Sequence, residues 1–156
     1  MNKHVRGLGF WVGRQLGRSE HLSVSQDLID PALSAQLVAT PTRKPISVER
    51  FIQFHRHAAT FPWRSQAAWI SARLAARYGI DRHHALTVGR ACFRSDLYRA
   101  NLSGLGIDLP GASEKVEGAL AHPTAVASTR GEMILGPDKF FDGACFDNTP
   151  EAPPKF

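Results

Sequence analysis

Trp63, Ala67, Ile70, Leu74 and Tyr78 recur at the three- and four-residue spacing of one helical face, and Trp69 and Ala76 add apolar surface on another. Only Gln66, Arg73 and Arg77 form a polar stripe, so the pattern predicts a helix over residues 63–78 with neighbours on more than one side. Gly79 is placed to end it, since glycine accepts the left-handed conformation of a helix C-cap. Asp81 can cap a second helix in which Ala85, Leu86, Gly89, Cys92 and Phe93 line one side, making Cys92 a core residue. Ser95 can cap a third, running through Leu97, Tyr98 and Leu102 and closed by Gly104 and Gly106.

Upstream the pattern is weaker. Leu8 to Leu16 reads as a short helix stopped by Gly17. Ser23 and Gln26 have the spacing of a capping box, with Leu28, Ile29, Leu33 and Leu37 following at helical intervals and Pro31 set to kink them. Thr40 to Pro45 carries two prolines among polar residues and reads as a linker, and Ile46 to Phe54 fits a strand or a short helix. The organisation expected is therefore N-terminal helices over 1–39, a main region over 40–148 and a frayed tail over 149–156. Beyond Pro110, glycines and prolines punctuate the chain too often for long helices, so the last third is expected to be loops with short strands, Met133 to Leu135 among them.

Nineteen basic against fourteen acidic residues give a net charge of +5, which suits an anionic ligand, an acidic partner protein or, as the less favoured reading, a small basic nucleic-acid-binding domain. Because the arginines are dispersed through helical sequence, they predict a solvated surface and no direct nucleic-acid partner. Cys92 and Cys145 belong to no metal-site or disulfide spacing. The basic start, residues 1–6, precedes an apolar stretch too short for a signal peptide, and no apolar run reaches bilayer length. The expectation is a soluble, cytoplasmic chain as encoded, without a transmembrane segment.

His55 and His57 form an HxH pair, but no further ligand stands at a suitable spacing, and no metal or cofactor is expected. Gly104 and Gly106 lie behind a helix, where a phosphate-binding turn would precede one. Asp138, Asp142 and Asp147 do not have the spacing of a calcium loop and read as turn aspartates. With no nucleophile elbow, phosphate loop or paired Cys and His, the residues point away from an enzyme.

Four segments carry a resemblance: Phe61-Pro62-Trp63-Arg64-Ser65-Gln66-Ala67-Ala68-Trp69; Tyr78-Gly79; Arg94-Ser95-Asp96-Leu97-Tyr98-Arg99-Ala100; and Phe140-Phe141-Asp142-Gly143-Ala144-Cys145-Phe146-Asp147. In this order and at this spacing they are similar to the C-terminal region of the nitrate- and bicarbonate-binding proteins of ABC transporters, and residues 18–37 resemble the helix pair before it. Ala75-Ala76-Arg77-Tyr78 departs from the aromatic-basic pair that relatives commonly carry before the turn.

The resemblance implies the C-terminal portion of a two-lobed α/β fold of the periplasmic-binding-protein type (type II), mainly helical here with a loop-rich last third. It implies a truncated protein whose full-length relatives take up nitrate, nitrite or bicarbonate with an ABC permease and are exported to the periplasm. Cytosolic sensors of the same family instead bind an antiterminator protein. Most of the family's anion-holding positions lie upstream of this stretch. Within it, Trp63, Arg64 and Gln66 are the candidate ligand-binding residues.

Overall fold

A computed structural model describes residues 14–18, 20–38, 40, 42–48, 52–53 and 56–148. The polypeptide divides into two units between Phe54 and His55. In the first, helix α1 (Gln26–Leu33) starts at Ser25, whose hydroxyl accepts from the Asp27 N–H at 3.3 Å. The cap thus sits beyond the expected Ser23, which adopts a left-handed backbone with φ 52°. Capping at Ser25 places Asp27 in the first turn, where a carboxylate meets the positive end of the helix dipole. Pro31 lies inside the helix, which ends at Leu33.

Leu37, expected to continue that helix, belongs instead to strand β1 (Gln36–Leu37), antiparallel to β2 (Ile46–Ser47) with Leu37 opposite Ile46. The proline-containing stretch between them therefore connects a hairpin, correcting its reading as a linker. Of the helix expected over residues 8–16, residues 14–16 are helical, and the rest lies outside the described residues, as do His55 and the tail over 149–156.

The second unit is organised by α2 (Arg64–Tyr78) and α3 (Arg82–Cys92). Trp63 is the N-cap of α2, and Gly79 closes it at φ 65° with its N–H on the Ala75 carbonyl. Asp81 caps α3 as expected, accepting from the His84 N–H at 2.7 Å. Helix α4 (Ser95–Leu102) begins one residue earlier than expected: Arg94 is the N-cap and Ser95 is its buried first residue.

The buried face of α2 is not the one its large side chains mark. Ser65, Ala67, Ala68, Ala72 and Ala75 are buried, whereas Ile70, Leu74 and Tyr78 are exposed. Close helix approach explains the reversal. A Cβ on Gly89 of α3 would stand 2.0 Å from Ser71 Oγ and 3.0 Å from the Ala67 carbonyl oxygen, so the α2 and α3 backbones meet at a separation only small residues allow. On α3, Leu86 and Gly89 face inward, but Cys92 is exposed, correcting its expected place in the core. Cys145 is also a free, exposed thiol.

Two clusters form the core. Ala58, Phe61, Trp63 and Leu135 pack with Tyr98, Leu120, Val126 and Met133, while Ala68, Ala72 and Leu86 pack with Phe146. Strand β3 (Thr124–Ala125) pairs antiparallel with β4 (Ile134–Leu135), within the segment expected to hold a strand. Single bridges join Pro110 to Ser128 and Glu117 to Phe146, so the loop-rich third is tied to itself by isolated backbone pairs. The result is a small mixed α/β arrangement with its helices first. No helix among the described residues is long and apolar enough to cross a membrane.

Candidate functional site

The turn between α2 and α3 returns the chain so that Arg64, at the start of one helix, and Arg90, near the end of the other, face a common acceptor. Both guanidiniums approach Glu114 Oε1 through Nε, at 3.6 Å from Arg64 and 3.8 Å from Arg90. These are ion-pair distances, too long for hydrogen bonds, and Arg90 Nε is buried without a hydrogen-bond partner. The other Glu114 oxygen accepts from Asn148 Nδ2 at 2.7 Å.

Arg64 and Arg90 line a cleft of about 400 Å³ together with Ala91, Phe93, Arg94, Ser95, Asp96 and Ser113. Arg94 is already engaged: its Nε and Nη2 donate to the two Asp96 oxygens at 2.9 and 2.6 Å. The Arg94 hydrogen bond holds the Asp96 carboxyl well below the usual carboxylate range; desolvation opposes this, while the Leu97 N–H and the charge of Arg94 favour it. The same contact pushes Arg94 up. Three guanidiniums against the carboxylates of Asp96 and Glu114 leave the cleft with one net positive charge.

A loop fixed from α4 forms one wall. Arg99 donates to the carbonyls of Pro110, Gly111 and Ala112 and, through Nη1, to Ser113 Oγ at 2.8 Å. Its guanidinium also lies 4.9 Å from the centre of the Phe61 ring. The Arg64 N–H donates to the Ser113 carbonyl at 2.9 Å, tying the loop to the start of α2.

Of the three residues singled out from sequence, Arg64 lines the cleft and is partly exposed. Trp63 is buried in the core with its ring edge-on to Phe61 at 4.8 Å. Gln66 is half-buried on the first turn of α2 and does not line the cleft. His57 is tied down, Nδ1 donating to the Ile134 carbonyl at 2.8 Å, and no cluster of metal-ligating side chains occurs among the described residues.

Asp142 behaves as a turn aspartate, accepting from the Ala144 N–H at 3.0 Å. Asp138 does more than its turn reading implies. It accepts from Lys115 Nζ and from the Leu120 N–H, and Lys115 also donates to Glu117 Oε2 at 2.5 Å. Buried Ser65 donates to Glu117 Oε1 at 2.6 Å and accepts from the Lys115 N–H at 3.1 Å. This network lies beside Trp63, whose ring centre is 5.8 Å from Lys115 Nζ; Ser65 and Glu117 are buried in it, while Lys115 and Asp138 remain partly exposed.

Arg90, Arg94 and Glu114 escaped the sequence reading of the cleft. Arg94 and Asp96 could have been paired from their spacing; nothing local links Arg90 or Glu114 to Arg64. No protein-family model, no curated protein and no solved structure matches the chain.

Proposed function

We propose that this chain is the C-terminal portion of a substrate-binding protein of the nitrate- and bicarbonate-type ABC transporters. In that role it acts with the remainder of two type II lobes and a permease in the uptake of nitrate, nitrite or bicarbonate. One observation carries the reading: the segments on which the resemblance rests lie far apart in the chain and pack on one another in the second unit. Phe61 meets Tyr98 edge-on at 5.5 Å, and Trp69 stacks on Phe140 at 5.2 Å. Phe146 exchanges both backbone hydrogen bonds with Glu117 and packs on Ala68, Ala72 and Leu86.

The exposed stripe of Ile70, Leu74 and Tyr78 on α2 adds support, because such a stripe suits a helix that is covered in a larger protein. The cleft by itself is a poor site for nitrate. A small inorganic anion must be surrounded by convergent donors to replace its water, and here the two available arginines are shared with Glu114.

The test is to graft residues 55–148 in place of the matching segment of a full-length nitrate-binding protein and to titrate nitrate calorimetrically. The expected hybrid unfolds cooperatively and binds nitrate within about tenfold of the parent. A folded hybrid blind to nitrate overturns the proposal, as does a hybrid that fails to fold although the second unit folds alone.

A further inference from the structure

We infer that the cleft between Arg64 and Arg90 is a binding site of its own for a small organic monoanion, its carboxylate held between the two guanidiniums and its apolar body against Phe93 and Ala91. This does not rest on the transporter reading. It starts from unspent hydrogen-bonding capacity. Each guanidinium carries five donors in a planar fork matched to an oxyanion. Among the described residues the acceptor within ion-pair reach of Arg64 and Arg90 is the single oxygen Glu114 Oε1, approached by both at more than 3.5 Å. Arg94, by contrast, has closed a bidentate pair with Asp96 and is satisfied.

Three features define the ligand. Volume comes first: about 400 Å³ lies in the range of pockets that enclose small organic molecules and far exceeds what a triatomic or tetratomic ion fills. Charge follows, since one net positive charge is neutralised by a monoanion and exceeded by a phosphate dianion. Lining completes it: Phe93 and Ala91 offer an apolar wall, and the Ser113 hydroxyl, accepting from Arg99, keeps its own hydrogen to donate. Glu114 sets the affinity. Its carboxylate competes with the ligand for both arginines, so their charge is partly offset in the empty cleft and an incoming carboxylate must displace that weak, shared contact.

Benzoate is the probe, with benzamide as its neutral counterpart and phenyl phosphate as the dianion, titrated into the full chain at constant ionic strength and followed through the arginine Nε–H resonances. Benzoate is expected to shift the Arg64 and Arg90 signals with a Kd of about 0.1 to 1 mM, and benzamide to leave them in place. Arg90→Gln should weaken benzoate about tenfold or more, and raising salt should weaken it as well. Glu114→Gln should strengthen benzoate about three- to tenfold, because it removes the competing charge while keeping an acceptor for Asn148. A gain of binding cannot come from a damaged fold, so this variant decides the matter even if Arg90→Gln is unstable. Equal shifts by benzoate and benzamide, tighter binding of phenyl phosphate than of benzoate, or no gain in Glu114→Gln each overturns the inference.

Discussion

Lys115 stands between Glu117, whose side chain is 6% exposed, and the partly buried Asp138, so its ammonium neutralises carboxylates that water reaches poorly. Replacing it with methionine keeps the volume and leaves two uncompensated carboxylates. Lys115→Met should therefore cost about 3 to 5 kcal/mol, read from urea midpoints at neutral pH. Asp108 performs a different task near the surface. It accepts from the Arg130 and Glu132 N–H groups and from the hydroxyls of Ser128 and Thr129, pinning the 128–132 loop. Desolvation pushes its carboxyl up, but these hydrogen bonds together outweigh it and hold the group below the usual carboxylate value. A depressed folded pKa means that the stabilisation is fully present above the unfolded value of about 4 and is lost as pH falls through the folded value. Asp108→Asn should therefore be less stable than the native chain at pH 7, and denaturant midpoints of the two should converge as pH falls below that range.

At the scale of elements, the contact between α2 and α3 depends on the absence of a side chain at Gly89. Alanine there would gain about 1 kcal/mol of helix propensity, yet its Cβ would overlap Ser71, whose Cβ lies 2.6 Å away. Overpacking wins: Gly89→Ala should destabilise by about 1 to 3 kcal/mol, whereas Leu74→Gln on the exposed stripe should change stability by less than about 0.5 kcal/mol. Urea titrations of the two variants check the ordering. The same contrast shows what the sequence could disclose. The start and stop of α2 were legible, because the helical recurrence begins at Trp63 and Gly79 acts locally, and so was the Asp81 cap. The buried face was not, because a reading by hydrophobicity ranks Ile70 and Leu74 above Ala68 and Ala72, while close helix approach selects for small size. The cleft divides likewise. Arg64 stood out beside Trp63, but Arg90 and Glu114 reach it only through the folded helix pair and the loop that Arg99 holds. The capping serine of α1 was misplaced because two serines compete at neighbouring positions, and the choice between them depends on Asp27.

Over the whole molecule, large apolar side chains are distributed unfavourably. Among the described residues, half of the buried apolar ones are alanines, whereas Ile70, Leu74, Tyr78, Ile80, Val88 and Phe141 are among the large side chains exposed. Each fully buried large side chain contributes about 1.5 to 3 kcal/mol, so leaving several in water forfeits an amount comparable with the stability of an ordinary domain. The chain alone is expected to bind a hydrophobic dye, to melt over a broad range and to associate as its concentration rises, despite a net charge of +5 that opposes association. Sedimentation velocity and calorimetry check this. A monomer with a sharp transition and no dye binding would contradict both this expectation and the proposal that the exposed stripe is covered in a larger protein.

Arg99 has a kinetic consequence. One guanidinium bridges α4 to three successive carbonyls and a hydroxyl, a distributed contact that a lysine ammonium, lacking the planar fork, cannot reproduce. Opening of the 110–113 loop therefore requires the α4 side chain to let go, and helix and loop should exchange their amide hydrogens as one cooperative segment. In Arg99→Lys, hydrogen exchange should quicken together at Gly111 and Arg64, whose N–H groups donate to the Ala127 and Ser113 carbonyls, while the middle of α3 keeps its native rate. Through that segment, the rate at which the Ser113 wall of the cleft opens to solvent is set by a side chain that does not line the cleft.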